Sequence, residues 1–300
     1  MTIACQFSQL NIEFNQEALF PPLTHSLACQ RNALIGQNGK GKSVLLKLLA
    51  QKLLPSSGHI MWRMPFIHVD QLTRLTGNTI ADALGIDTFF QAFKRVDNGS
   101  ASLEDFELLE DKWHLPMTWQ NLLHSAQLPV SLDTPIPHLS GGEQTRLALC
   151  QAFLHDDHFL LLDEPDNHLD HQGQQWLVEQ LMHHKSGVLF ISHNRHLLSY
   201  AENIFELSEK GLQEYGGNYS LYETQKNAQI ASIEAANERI NSQIKQEKRQ
   251  QHVTLQKALQ RRKQGEKIRN SGSQSLLLLD MQTNRAEKKQ SSIAKRHQRV

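Results

Sequence analysis

Gly36-Gln37-Asn38-Gly39-Lys40-Gly41-Lys42-Ser43 is the stretch on which the reading of this 300-residue chain turns. Immediately before it, Ala33-Leu34-Ile35 reads as a short buried strand. Immediately after it, Val44, Leu45, Leu48 and Leu49 recur at helical spacing, predicting a helix over 44–54 that stops at Pro55-Ser56-Ser57-Gly58. The order is strand, glycine-rich loop, helix. In the pattern G-x4-G-K-S, Gly36, Gly39 and Gly41 lack the Cβ that would keep several backbone N–H groups from converging on one phosphate chain. The start of the helix adds its positive end. Asn38, Lys40 and Val44 belong to the same cradle. Lys42 is placed to reach the β- and γ-phosphates of a nucleotide, and the Ser43 hydroxyl to ligate Mg²⁺.

A second run completes such a site. Phe159-Leu160-Leu161-Leu162-Asp163-Glu164 is four apolar residues ending in two acids, as expected of a buried strand whose carboxyl edge is level with the glycine loop. Asp163 is the candidate Mg²⁺ ligand, and Glu164, facing the other way, the candidate group that polarises an attacking water.

Around these motifs the chain alternates strands and helices. Ile3, Cys5 and Phe7 alternate as in a strand, and Leu27–Cys29 is a further apolar stretch. A helix over 143–154, a strand over 159–162, a helix over 172–183 and a strand over 188–191 follow. That alternation predicts an α/β domain with a mainly parallel sheet. Between them, from about 80 to 137, aromatic and leucine positions (Phe89, Phe93, Phe106, Trp113, Trp119, Leu122) read as short helices, a helical subdomain inserted in the core and spanning about 80–150. His155-Asp156-Asp157-His158 has the residue types of a metal site but reads as a polar turn before the strand.

From Tyr222 the character changes. Residues 226–300 hold 17 Lys/Arg against 6 Asp/Glu, and the rest of the chain 14 against 25, although the whole is neutral. A sparse apolar stripe (Ile230, Ile233, Ile240, Ile244, Leu255, Leu259) predicts a long helix up to Asn270-Ser271-Gly272-Ser273, a bend near Gly272 and a second helix to the end. The domain expectation is therefore 1–225 for the α/β part and 226–300 for an all-α, basic helical hairpin. Lys248, Arg249, Arg261, Arg262, Lys263, Lys267 and Arg269 suit phosphate contacts on a nucleic acid.

Leu139-Ser140-Gly141-Gly142-Glu143-Gln144, about twenty residues before the strand that ends in Asp163, resembles the signature motif of ABC ATPases. The resemblance implies the ABC nucleotide-binding fold with ATP and Mg²⁺ as ligands. It also implies that Ser140, Gly141, Gly142 and Gln144 cap the γ-phosphate held on a partner domain. Gln71 resembles the Q-loop glutamine that touches Mg²⁺, His193 the switch histidine at the γ-phosphate, and Phe14 the aromatic that stacks on adenine. Asp163-Glu164-Pro165-Asp166-Asn167-His168-Leu169-Asp170 resembles the string typical of the ABC-F branch, soluble proteins with two cassettes in one chain, several of which act on the ribosome. Asp166 stands where that string usually has Thr, and Ser192-His193-Asn194-Arg195 stands where the branch usually has Ser-His-Asp-Arg. Gly216-Gly217-Asn218-Tyr219-Ser220-Leu221-Tyr222 resembles the segment closing the first cassette there, and 226–300 the inter-domain linker that reaches toward tRNA.

These readings imply an ATPase whose second ABC domain lies in a longer gene product or in a dimer partner. No window approaches the ~18 apolar residues of a membrane span, and residues 1–10 lack the pattern of a signal peptide. Cys5, Cys29 and Cys150 show no metal or disulfide spacing. The chain therefore reads as cytoplasmic. A cytosolic transporter subunit and a DNA-maintenance ATPase are the competing functions.

Overall fold

The computed structural model describes residues 2–15, 17–70 and 75–270. It divides into two compact units, Met1–Lys226 and Asn227–Val300. The first unit opens with β1 (Ile3–Asn11), a small hairpin of β2 (Glu13–Phe14) and β3 (Glu17–Ala18), and β4 (Leu23–Ala28). Next come β5 (Arg31–Gly36), α1 (Lys42–Leu49), β6 (Ser57–Trp62) and β7 (Phe66–Val69). The helical insertion holds α2 (Ile80–Leu84), α3 (Asp87–Asp97), α4 (Leu103–Leu109) and α5 (Leu115–Ser125), then α6 (Gly141–Phe153). The chain returns to the sheet with β8 (Phe159–Asp163), α7 (His171–His183), β9 (Val188–Ile191), α8 (Arg195–Leu198), β10 (Asn203–Ser208) and β11 (Gly211–Gly216). Last is α9 (Tyr219–Asn270).

Two sheets result. A three-stranded antiparallel sheet has the order β4-β1-β6, and a six-stranded sheet the order β11-β10-β5-β9-β8-β7. In the larger sheet β10, β5, β9, β8 and β7 are mutually parallel, and β11 closes one edge antiparallel. Helix α1 packs within the apolar cluster between the sheets: Leu45, Leu46, Leu48 and Leu49 are buried with Phe7 and Leu10 of β1 and with Leu34, Phe159, Leu161 and Phe205 of the larger sheet. On the opposite face, Leu160, Leu162 and Phe190 pack with α6, α7 and the helical insertion. Every residue of β8 is buried. Its side chains alternate between the two clusters, Phe159 and Leu161 to one, Leu160 and Leu162 to the other. A strand covered on both faces has no solvent side, so its sequence is an unbroken apolar run rather than an alternation.

Two of the short helices of the insertion are fixed by side-chain caps. Thr79 and Asp82 form a capping box on α2, and Ser102 and Asp105 another on α4. Phe93 meets Trp113 and Trp119 edge-on, at 5.8 and 6.0 Å between ring centroids.

One boundary differs from the sequence expectation. The helix predicted over 44–54 begins at Lys42 and ends at Leu49. Gln51 takes φ 56°, its N–H donates to the Leu48 carbonyl, and the Lys52 N–H reaches back to the Lys47 carbonyl. This pair of bonds is the Schellman stop, which usually carries glycine at its left-handed position. Here the position is a glutamine, so the residue types gave no stop signal before Pro55.

At the start of α9, Tyr222 meets Tyr215 of β11 edge-on and Tyr219 packs on Tyr222, while Lys226 Nζ pairs with Glu206 of β10 at 2.6 Å. Described by itself, the second unit is helical through Asn270, with Ile230, Ile233, Ile240, Ile244, Leu255 and Leu259 exposed along it. The expected bend near Gly272 and second helix lie outside the described residues.

Replacing Gln51 by glycine should stabilise the domain by about 0.5–1 kcal/mol, because the left-handed conformation costs a side chain more than it costs glycine. Urea unfolding at constant slope checks this; a midpoint that stays or falls would refute the stop assigned to Gln51.

Candidate functional site

The glycine loop runs from the end of β5 into α1, and its shape demands glycine at both ends. Gly36 has φ 151°, and a Cβ there would lie 2.3 Å from the Leu207 carbonyl oxygen of the neighbouring β10. Gly41 has φ 92°, and a Cβ would lie 2.6 Å from the Leu19 side chain, beside Phe20. The segment after the β2–β3 hairpin thus braces the loop. Around Gly39 the space is open. Gly41 is also the N-cap of α1 and offers no side chain to bond the helix's first N–H groups. Helices α2, α4, α6 and α7 do carry side-chain caps. The uncapped first turn of α1 leaves donors directed at the loop, the arrangement that accepts an anion.

Lys42 is buried, and its Nζ donates to the carbonyls of Gly36 and Gln37 at 2.9 and 3.3 Å and to Asn38 Oδ1 at 3.4 Å. Desolvation holds its pKa below the usual lysine value, against the opposing pull of Glu164 and Asp163. Lys40 turns outward to Glu209, 2.6 Å away. Val44 is half-buried against the core between the sheets.

Across the loop, the Ser43 hydroxyl donates to Asp163 Oδ1 at 3.1 Å. Asp163 is 3% exposed. Burial raises its pKa, and the nearby charges of Asp70 and Glu164 add to this; the Ser43 bond and Lys47 work against it. Lys47 of α1 in turn pairs with Asp70 at 3.3 Å. A hydroxyl and a desolvated carboxylate 3.1 Å apart are hard oxygen donors of the kind that take Mg²⁺. The open space at Gly39, the free helix start and Lys42 fit a triphosphate in the same way.

Glu164 follows β8 with φ 51°, a left-handed backbone at a non-glycine residue. Its N–H bonds the Ile191 carbonyl at 3.1 Å and its carbonyl accepts from Asn167 N. The carboxylate accepts from Asn167 Nδ2 and faces His193 Nε2 at 3.9 Å. His193 itself is held by a network that motif reading did not supply. The Asn194 N–H donates to Ser192 Oγ at 2.9 Å, and Ser192 Oγ donates to Asp166 Oδ2 at 2.9 Å. Asn194 Nδ2 also bonds Gln174 of α7 at 3.1 Å. Asp166 was visible in the sequence only as an unusual residue in its string. In the fold it ties the turn carrying His193 to the turn carrying Glu164. Burial raises the Asp166 pKa, and the Ser192 bond opposes the rise.

The structure brings Lys42, Ser43, Asp163, Glu164 and His193 to one edge of the sheet, at the carboxyl ends of β5, β8 and β9. Ser140, Gly141, Gly142 and Gln144 form a separate group at the start of α6. Ser140 and Glu143 make a capping box there, Gln144 Nε2 donates to the Leu139 carbonyl at 3.1 Å, and Gly142 sits against the His168 carbonyl. Phe14 lies exposed in the β2–β3 hairpin, which leads into Leu19 and Phe20 at the loop. Gln71 lies outside the described residues.

Residues 27–167 match the family profile described as ABC transporter. The chain belongs to the ABC ATPase family. Its cassette is 32% identical over 221 residues to the "Energy-dependent translational throttle protein EttA" of Mycobacterium tuberculosis (strain CDC 1551 / Oshkosh), covering 66% of this chain and 39% of that protein. It is 34% identical over 191 residues to the "Ribosome protection protein VmlR" of Bacillus subtilis (strain 168), covering 63% of this chain and 28% of that one. Both relatives are ABC-F proteins, the branch that the 163–170 string resembles. The chain thus spans well under half the length of these relatives. Among solved structures, an "ATP binding subunit of ABC transporter" superposes with a TM-score of 0.56 at 18% identity, covering 71% of this chain and 90% of that one, a likeness of fold.

Asp163→Asn should raise the unfolding temperature of the nucleotide-free ABC cassette near pH 7, by roughly 2–4 °C per kcal/mol of burial cost removed. The sign follows from the raised carboxyl pKa: the penalty is full above the folded-state value and vanishes below the ordinary 3.8. The gain should therefore shrink as pH falls toward 3.8, and calorimetry showing the wild type more stable than the variant near pH 7 would contradict it.

Proposed function

We propose that this ABC cassette binds ATP·Mg²⁺ and hydrolyses ATP when it closes on a second cassette. Lys42 and the free N–H groups at the start of α1 would hold the β- and γ-phosphates. Ser43 and Asp163 would hold Mg²⁺, together with Gln71. The bound metal supplies neutralisation of the phosphate charge as it develops. Glu164, anchored by Asn167, would accept a proton from the attacking water, and His193 would meet the γ-phosphate from the adjacent turn. Ser140, Gly141, Gly142 and Gln144 would face the nucleotide of the partner cassette. The observation that carries the reading is the convergence of Lys42, Ser43, Asp163 and Glu164 on one sheet edge, with a buried acid whose charge calls for a cation.

We further propose that the complete protein acts on the ribosome in the cytoplasm, with residues 226–300 as the basic linker leading to a second ABC domain and touching tRNA or rRNA. Two observations support this. The curated relatives are titled for translation and ribosome protection, and the described part of α9 presents Lys248, Arg249, Arg261, Arg262, Lys263 and Lys267 on an exposed helix. Among the described residues no helix is long and apolar enough to cross a membrane. A transporter motor would leave the basic helix unused, and a DNA-maintenance ATPase would direct it at DNA.

The test is sedimentation of the Glu164→Gln form of the complete gene product with ATP in a sucrose gradient. Turnover should fall by about 10²-fold or more. The trapped protein should travel with ribosomes, and leave them when salt is raised, as phosphate contacts require. Undiminished turnover would remove Glu164 from its role. Pelleting with membranes would favour the transporter motor, and retention on DNA rather than ribosomes the maintenance ATPase.

A further inference from the structure

The turn joining α6 to β8 carries a second cluster of ligating side chains, at the opposite end of β8 from Asp163. His155, Asp157 and His158 each offer one nitrogen or carboxylate oxygen, and these three atoms lie within 4.8 Å of one another. The two imidazole rings are 5.0 Å apart between centroids, and His158 Nδ1 lies 2.7 Å from Asp157 Oδ1. The backbone beneath them is pinned. The His158 N–H donates to the His155 carbonyl at 3.2 Å, closing the turn. From the loop after α7, His184 Nε2 bonds the His158 carbonyl at 2.9 Å and Ser186 Oγ donates to the Asp156 carbonyl. The backbone that carries the three side chains is thus held by tertiary contacts.

We propose that His155, Asp157 and His158 form a binding site for a divalent transition metal of the zinc class, separate from the nucleotide site. Two imidazoles and one carboxylate are a donor set that zinc takes at ~2.0–2.2 Å, whereas Mg²⁺ prefers oxygen alone. Ligand atoms around such an ion stand ~3.3 Å apart in tetrahedral geometry. The three atoms already lie within 4.8 Å of one another, and His155 and Asp157 are exposed while His158 is half-buried. Water would fill the remaining position. Desolvation and then the neighbouring His158 lower the His155 pKa, and the His158 hydrogen bond holds Asp157 below the usual carboxylate range. Helix α6 starts at the signature residues and β8 ends at Asp163, so an ion at this turn would fasten the end of one element to the start of the other.

Zinc chloride titrated calorimetrically into the 300-residue chain, without nucleotide, tests this. One equivalent should bind with a dissociation constant in the micromolar range, on the order of −8 kcal/mol. His155→Ala and His158→Ala should each weaken it by about tenfold or more. His114→Ala, at an exposed histidine of the helical insertion, should leave it unchanged. Cobalt(II) should give a visible absorption band that the double variant loses, and zinc should raise the unfolding temperature of the wild type alone. Both positions lie at the surface, and circular dichroism of the variants checks that they fold. Equal zinc binding by the double variant, a loss at His114→Ala instead, or binding weaker than millimolar would overturn the site. None of these outcomes depends on whether ATP is hydrolysed.

Discussion

A strand covered on both faces can present polar groups only where it leaves the sheet, and β8 puts this constraint at the centre of the molecule. Its five residues are buried, and the last of them is an acid. Desolvation makes Asp163 costly unless something meets it, and what meets it is the Ser43 hydroxyl at the start of α1. That bond joins the glycine loop to the acid strand. The loop passes so close to the Leu207 carbonyl of β10 at one end and to the Leu19 side chain at the other that neither Gly36 nor Gly41 has room for a Cβ. The site is therefore an outcome of how the sheet is covered.

The electrostatics at that edge are unbalanced in one direction. Asp163 and Asp166 are both raised by burial, and Lys42 is lowered by it. All three shifts have desolvation as their first cause, so the charged groups at this edge sit away from water. The left-handed backbone of Glu164 belongs to the same economy, since it aims the carboxylate at Asn167 and His193 immediately after the strand ends. The Asp166–Ser192–Asn194 chain then fixes the turn of His193. This ABC chain has a carboxylate at 166 and an amide at 194, and the two turns meet through Asp166 with Ser192 and through Glu164 with His193.

Charge is also segregated along the chain. The α/β unit is acidic, and the helical segment that follows it is basic. A net acidic surface repels polyanions, whereas an exposed basic helix attracts them. That segregation is a property of composition that no single motif conveys.

Much of this was legible in the sequence because it rests on local rules. The glycine spacing of 36–43, the apolar run before Asp163 and the strand–helix alternation from 143 to 191 are each dictated by neighbours within a few residues, and the fold class follows from them. The capping boxes at Thr79, Ser102 and Ser140 are equally local. The early stop of α1 was not legible, because the left-handed turn falls on Gln51 where residue type predicts none. Nor was the tie between Asp166 and Ser192, twenty-six positions apart, or the bracing of Gly41 by Leu19. The sequence by itself determined which residues can bind phosphate and metal, since that depends on side-chain chemistry and on backbone freedom at each position. Only the tertiary structure decided which of them meet, because parallel strands β5, β8 and β9 are far apart along the chain and become neighbours through the hydrogen bonds and shared burial of one sheet.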